Sequence, residues 1–174
     1  ERKNAVEEYV YSMRSKISDQ LSEYVDDATR ESFGALLNAT EDWLYEDGED
    51  ESKGVYVAKL EELRAIGEPI ETRAKEEYER PGAISKLTDL AQRFLAMSGD
   101  KDHAHIDSAD LEKVAKECND ALGWLNEKKT LQDSTPKTQA AVLLSADIEK
   151  KAATLERVAT PILNRPKPAV YLWF

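Results

Sequence analysis

The residues of this chain whose types could do chemistry are two histidines, one cysteine and a run of carboxylates. His103 and His105 lie in the stretch Gly99-Asp100-Lys101-Asp102-His103-Ala104-His105-Ile106-Asp107-Ser108-Ala109-Asp110-Leu111, which has the outline of a calcium loop. A hard cation needs oxygen ligands at fixed intervals, a glycine at the sharp turn and a closing bidentate glutamate. Here Ala104 takes the third ligand position, the turn has no glycine, and the segment closes on Asp110 without a glutamate. The stretch reads as a solvated loop that caps a helix. The two histidines stand two apart, so they could share a metal only on extended backbone, and no cysteine lies near them. They read as structural or exposed residues.

Cys118 falls on the apolar side of a helical pattern, where a lone thiol acts as a small core residue. A nucleophile would need a base beside it, and none is placed there. A single cysteine excludes an internal disulfide framework and leaves the redox compartment open; the expected location is the cytoplasm, with the nucleus as a second compartment. The acidic turn Glu46-Asp47-Gly48-Glu49-Asp50-Glu51 gathers carboxylates, but acid–base catalysis needs one of them desolvated and another kept ionised. A solvent-facing turn desolvates none. The chain carries no glycine-rich phosphate loop, nucleophile elbow or zinc-ligand spacing. It is expected to have no catalytic residues, no metal and no cofactor, and not to be an enzyme.

The elements that hold these residues follow from composition and periodicity. The 174 residues are 34% charged and 41% hydrophobic, with only 7 Gly and 6 Pro. That mix favours long, uninterrupted helices. Val6, Tyr9, Val10, Met13, Ile17, Leu21, Tyr24 and Val25 make one apolar stripe at spacings of three and four. After a cap at Asp26–Asp27, a second helix carries Phe33, Leu36, Leu37, Trp43 and Leu44. A third, capped by Ser52, turns Tyr56, Leu60, Leu63, Ile70 and Ala74 inward and continues its register through Ile84, Leu87, Ala91 and Phe94. Pro69 and Pro81 must bend or interrupt it, with Pro81-Gly82 as the expected break. A fourth helix holds Leu111, Val114, Ala115, Cys118, Leu122 and Leu125. A fifth is expected to start at the Thr135-Pro136 cap and to run through Val142, Ile148, Ala152, Leu155 and Val158.

The expected fold is all-α, an antiparallel bundle of about five helices with a long kinked central helix. Residues 1–97 hold the N-terminal helices and first hairpin, 98–107 a loop, 108–163 a second hairpin and 164–174 an extended tail. A repeat links the hairpins. Trp43-Leu44 closes one helix and is followed by Leu63, Ile66 and Pro69-Ile70, while Trp124-Leu125 closes another and is followed by Leu155, Val158 and Pro161-Ile162. The leucine-to-proline spacing is the same in both copies, as for two related hairpins each closed by a tryptophan.

A net charge of -11 repels phosphate backbones and anionic lipid, so neither nucleic acid nor a membrane is an expected partner. No stretch approaches the roughly 20 apolar residues of a spanning helix. The chain opens at Glu1, without Met and inside a helical pattern, as a piece of something longer would.

Several strings are more specific. Asn4-Ala5-Val6-Glu7-Glu8-Tyr9-Val10-Tyr11-Ser12-Met13-Arg14 and Thr40-Glu41-Asp42-Trp43-Leu44-Tyr45-Glu46-Asp47-Gly48-Glu49-Asp50 are joined by Lys59-Leu60-Glu61-Glu62-Leu63, Gly67-Glu68-Pro69-Ile70, Glu79-Arg80-Pro81 and Pro161-Ile162-Leu163-Asn164-Arg165-Pro166-Lys167-Pro168. Together they resemble the C-terminal helical region of the large, 110-kDa-type heat-shock proteins of the 70-kDa superfamily. The resemblance implies a parent with an ATPase domain that is absent here. It also implies a co-chaperone acting as nucleotide-exchange factor, whose bundle grips the ATPase domain of a 70-kDa heat-shock chaperone. Asn38 and Glu41, just before the Trp-Leu-Tyr string, match the family's partner-binding positions and lie off the apolar stripe, free to reach out. A direct holdase surface for unfolded client proteins is the alternative. The apolar ending Tyr171-Leu172-Trp173-Phe174 departs from the family pattern and is a possible handle for self-association.

Overall fold

The computed structural model describes residues 1–169; the Tyr171–Phe174 ending lies outside the described residues. Five α-helices carry the fold: α1 (Arg2–Ser18), α2 (Asp27–Tyr45), α3 (Lys53–Ser98), α4 (Ser108–Asp133) and α5 (Ser145–Leu163). Single 3-10 turns at Ser22–Tyr24 and Lys101–His103 lead into α2 and α4. Among the described residues there is no strand, as the all-α expectation requires.

Local chemistry sets the helix starts. The Asp26 carboxylate accepts the backbone N–H of Thr29 and begins α2, while Asp107 accepts that of Ala109 and begins α4. Each satisfies a donor that the first turn leaves without an intrahelical partner. The residues before the caps, Val25 and Ile106, are both buried and anchor the entering chain.

The chain divides into two compact units. The first is Glu1–Glu77 with Pro136–Ala141, and the second is Tyr78–Thr135 with the chain from Val142 onward. The sequence boundaries at 97 and 108 follow element ends, whereas the units part within α3. In the first unit Val6, Val10, Met13 and Ile17 of α1 meet Phe33, Leu37 and Leu44 of α2 and Tyr56, Leu60, Leu63 and Ile70 of α3. The second unit gathers Ala83, Leu87, Leu90 and Phe94 of α3, Val114, Cys118, Ala121 and Leu125 of α4, and Ile148, Ala152, Leu155, Ala159 and Ile162 of α5.

These cores are the repeat seen in three dimensions. Without insertion inside any segment, Val6, Val10, Met13 and Ile17 correspond to Ala83, Leu87, Leu90 and Phe94, and Phe33, Leu37, Thr40 and Leu44 to Val114, Cys118, Ala121 and Leu125. Tyr56, Leu60, Leu63 and Ile70 correspond likewise to Ile148, Ala152, Leu155 and Ile162; every residue in these pairs is buried. Each expected hairpin is thus completed by a third helical segment. The tryptophans also correspond: the Lys59 ammonium lies 5.0 Å from the Trp43 ring and the Lys151 ammonium 5.1 Å from the Trp124 ring. Such pairs favour an indole held half in the core beneath a cation.

Three expectations need correction. No break occurs at Pro81-Gly82, because α3 is helical through both Pro69 and Pro81. Both prolines occupy solvent-exposed positions, where carbonyls freed by the missing N–H groups can be hydrated while the buried stripe holds the helix. Nor does Thr135-Pro136 start the fifth helix, since α5 begins only at Ser145. The Thr135 hydroxyl instead donates to the Leu131 carbonyl at 2.8 Å, finishing α4. Val142, expected inside, is 41% exposed and Leu143 is buried in its place.

Candidate interaction surface

In the first unit the acidic turn after α2 is built on aromatic side chains. The buried Tyr56 hydroxyl donates to the Gly48 carbonyl at 2.6 Å and accepts the Glu51 N–H at 3.0 Å. Gly48 lies directly on the Trp43 indole, where an added Cβ would stand 2.4 Å from ring carbons. The Trp43 and Tyr56 rings meet edge-on, with centroids 5.8 Å apart. The turn is therefore a fixed closure of the α2–α3 connection. Gly67 of α3 is similarly covered by Tyr9, whose hydroxyl would lie 2.1 Å from an added Cβ. Burial, with Glu71 and Glu68 nearby, pushes the Tyr9 phenol up to about 12.

The polar faces of α1 and α2 are linked by a continuous network. Asn38 is exposed on α2, and Glu41 follows one turn later on the same side, half-buried. Arg14 of α1 donates from its guanidinium to Glu41 Oε2, and the Tyr11 hydroxyl donates to Glu41 Oε1 at 3.3 Å. The Tyr11 and Tyr45 hydroxyls are 3.3 Å apart, and Tyr45 donates to Glu7 Oε1 at 2.6 Å. That bond to Glu7, and then the nearby Tyr11 hydroxyl, raises the Tyr45 phenol well above its ordinary range. The Arg14 guanidinium lies 5.7 Å from the centroid of the Tyr11 ring. Tyr11 and Tyr45 remain 45% and 55% exposed, so their rings are offered to solvent or to a partner.

The two sequence-derived positions thus share one face, but Glu41 is not free as expected: both its oxygens are engaged within the chain. Glu7, Tyr11, Arg14 and Tyr45 had no assigned role. The spacing of Glu7, Tyr11 and Arg14 at i, i+4 and i+7, off the apolar stripe, places these three together on α1 but does not say that they meet Tyr45 and Glu41 of α2.

The histidine loop of the second unit is structural. Asp100 accepts the His103 backbone N–H at 3.0 Å and pairs with its ring Nδ1 at 2.5 Å. His103, through this hydrogen bond, holds the Asp100 carboxyl below the usual range. His105 Nε2 donates to the Arg165 carbonyl at 2.7 Å, and the Arg165 guanidinium pairs with Asp110 at 2.5 Å. The two rings have different partners, and no group of three or more potential metal ligands occurs among the described residues. No helix there is long and apolar enough to cross a membrane.

The fold and surface define a tandem helical domain with one elaborated polar and aromatic face. Its matches to known proteins are consistent. The family model of the HYOU1-like C-terminal domain matches residues 91–166, from the second half of α3 through α5. Over 171 residues, 97% of this chain and 21% of the relative, it is 52% identical to "Heat shock 70 kDa protein 15" of Arabidopsis thaliana. It is 42% identical over 173 residues to "Heat shock 70 kDa protein 4" of Homo sapiens, again 97% of this chain and 21% of the relative. To the "97 kDa heat shock protein" of Strongylocentrotus purpuratus it is 41% identical over 171 residues, 95% of this chain and 19% of that protein. The chain spans about a fifth of the length of the curated relatives it matches. No solved structure gives a significant match. Over nearly its whole length the chain is thus homologous to large heat-shock proteins of the 70-kDa superfamily, and its second half matches a C-terminal domain of that group.

Proposed function

We propose that this chain is the docking arm of a large heat-shock chaperone, gripping the ATPase domain of a 70-kDa heat-shock chaperone and promoting its release of ADP. The observation that carries the reading is the α1–α2 face, where exposed Asn38 stands beside Glu41, Tyr11 and Tyr45. Exposed tyrosines and fixed charge pairs are the groups from which interface hot spots are built. An acidic surface steers it toward a basic protein surface. The arm works by binding rather than by catalysis, in the cytoplasm.

The test is ADP release from the 70-kDa chaperone, driven by the full-length protein with and without Asn38→Tyr plus Glu41→Ala. The altered protein is expected to lose its acceleration and its complex with the partner. Unchanged exchange together with an unchanged complex would remove the assignment.

A second reading, a holdase surface for unfolded clients, is favoured by the exposed apolar residues Leu131 (54%), Val142 (41%) and Leu144 (37%) of the second unit. It predicts that the chain suppresses aggregation of a heated client, and that Leu131→Ser with Val142→Ser weakens this. Inactivity at molar excess would count against it.

A further inference from the structure

The corresponding faces of the two units differ in a way their shared framework does not require. Glu7, Tyr11 and Arg14 of α1 correspond to Ile84, Thr88 and Ala91 of α3, and Glu41 and Tyr45 of α2 to Leu122 and Asn126 of α4. The second unit keeps the same pattern of buried positions with apolar or small uncharged residues at these places, Ala91 being fully buried. The charge network of the first unit is therefore not demanded by the fold. Asn38, in contrast, corresponds to Asn119, and both are exposed. What distinguishes the first face is Glu41 and the groups that hold it.

Those groups fix the carboxylate at both oxygens. Arg14 engages Oε2 and the Tyr11 hydroxyl engages Oε1, while the Arg14 Nε is enclosed. The Tyr45 hydroxyl, which donates to Glu7, stands 3.3 Å from that of Tyr11. The Glu41 side chain keeps 27% exposure, so the fixed group still presents an edge outward. A half-exposed ion pair adds little to stability. Holding a side chain in place before docking, however, removes the rotamer entropy that binding would otherwise cost.

We propose that Arg14 and Tyr11 are positioning residues that preset the Glu41 carboxylate for docking, an inference that rests on the docking role given to Glu41 above. The test is calorimetric affinity of the full-length protein for the ATPase domain of a 70-kDa heat-shock chaperone, using Arg14→Ala, Glu41→Ala and the double variant. Arg14→Ala is expected to weaken binding about fivefold, the double variant binding no more weakly than Glu41→Ala alone, since coupled residues are non-additive. Arg14→Lys, which keeps the charge but loses the planar fork, is expected to recover part of the loss. Additive losses would mean that Arg14 touches the partner directly, and would overturn the proposal. So would an Arg14→Ala protein that melts lower but binds with unchanged affinity, because its role would then be structural. Unchanged affinity for Glu41→Ala would instead sink the docking role itself.

Discussion

Gly48 shows how much a single residue can decide. Its backbone lies against the Trp43 indole, and a methyl group there would stand 2.4 Å from the ring, well inside contact distance. The indole is rigid and held by Tyr56, so Gly48→Ala is expected to cost about 1–3 kcal/mol as overpacking. Gly34, in α2 with nothing within 4 Å of its missing Cβ, is the control. Gly34→Ala should gain up to about 1 kcal/mol from helix propensity. Denaturant titration of both variants checks the opposite signs. Cys118 makes a second residue-level case, since burial pushes its thiol up to about 11. The folded state then retains a proton that the unfolded thiol loses near its ordinary value. Stability from this group is full below that value and is lost as pH rises toward 11. Cys118→Ala should flatten that alkaline decline relative to the unaltered protein in pH-dependent melts. The core role of Cys118 was legible from its place in an apolar stripe. The network around Glu41 was not, because charged and aromatic residues at helical spacing announce a face without naming what it meets.

Helices were readable where a buried stripe and a local cap agreed, as in α2 and α4, and in α1 from the stripe alone, since its start has no side-chain cap. Asp26 and Asp107 are side-chain caps, and the buried stripes begin about two turns on, at Phe33 and Val114. Asp107→Ala should destabilise the protein by about 1 kcal/mol, measurable by thermal melting. Proline misled where it stood on an exposed side. At Pro81 the stripe of Ala83, Leu87, Leu90 and Phe94 carries the helix past the lost N–H. Pro81→Ala, which restores that donor at a helical position, is expected to raise the melting temperature rather than lower it. The start of α5 was misread for a different reason. A Thr-Pro pair can open one helix or close another, and only the tertiary environment chooses between them.

At the scale of the whole molecule, the repeat was half legible. The two tryptophans and the two Leu-to-Pro spacings stood out, but the third member of each unit did not. Its place is taken by α1 in one copy and by the second half of the 46-residue α3 in the other, where no loop marks the boundary. The same doubling gives a functional contrast within one chain. Two frameworks with matched cores carry different outer faces, and only the first combines charge, tyrosine hydroxyls and an exposed asparagine. Docking driven by that face should weaken with rising salt, because an acidic surface meeting a basic one is screened within a Debye length.

Asn38 and Asn119 occupy matched, exposed positions in the two units, so replacing each in turn by tyrosine separates a specific docking face from generic surface damage. The decisive measurement is the rate of ADP release from a 70-kDa heat-shock chaperone driven by full-length protein carrying one or the other substitution. Asn38→Tyr is expected to abolish the acceleration, and Asn119→Tyr to leave it intact. Equal rates from the two altered proteins would contradict a docking function seated on α1 and α2.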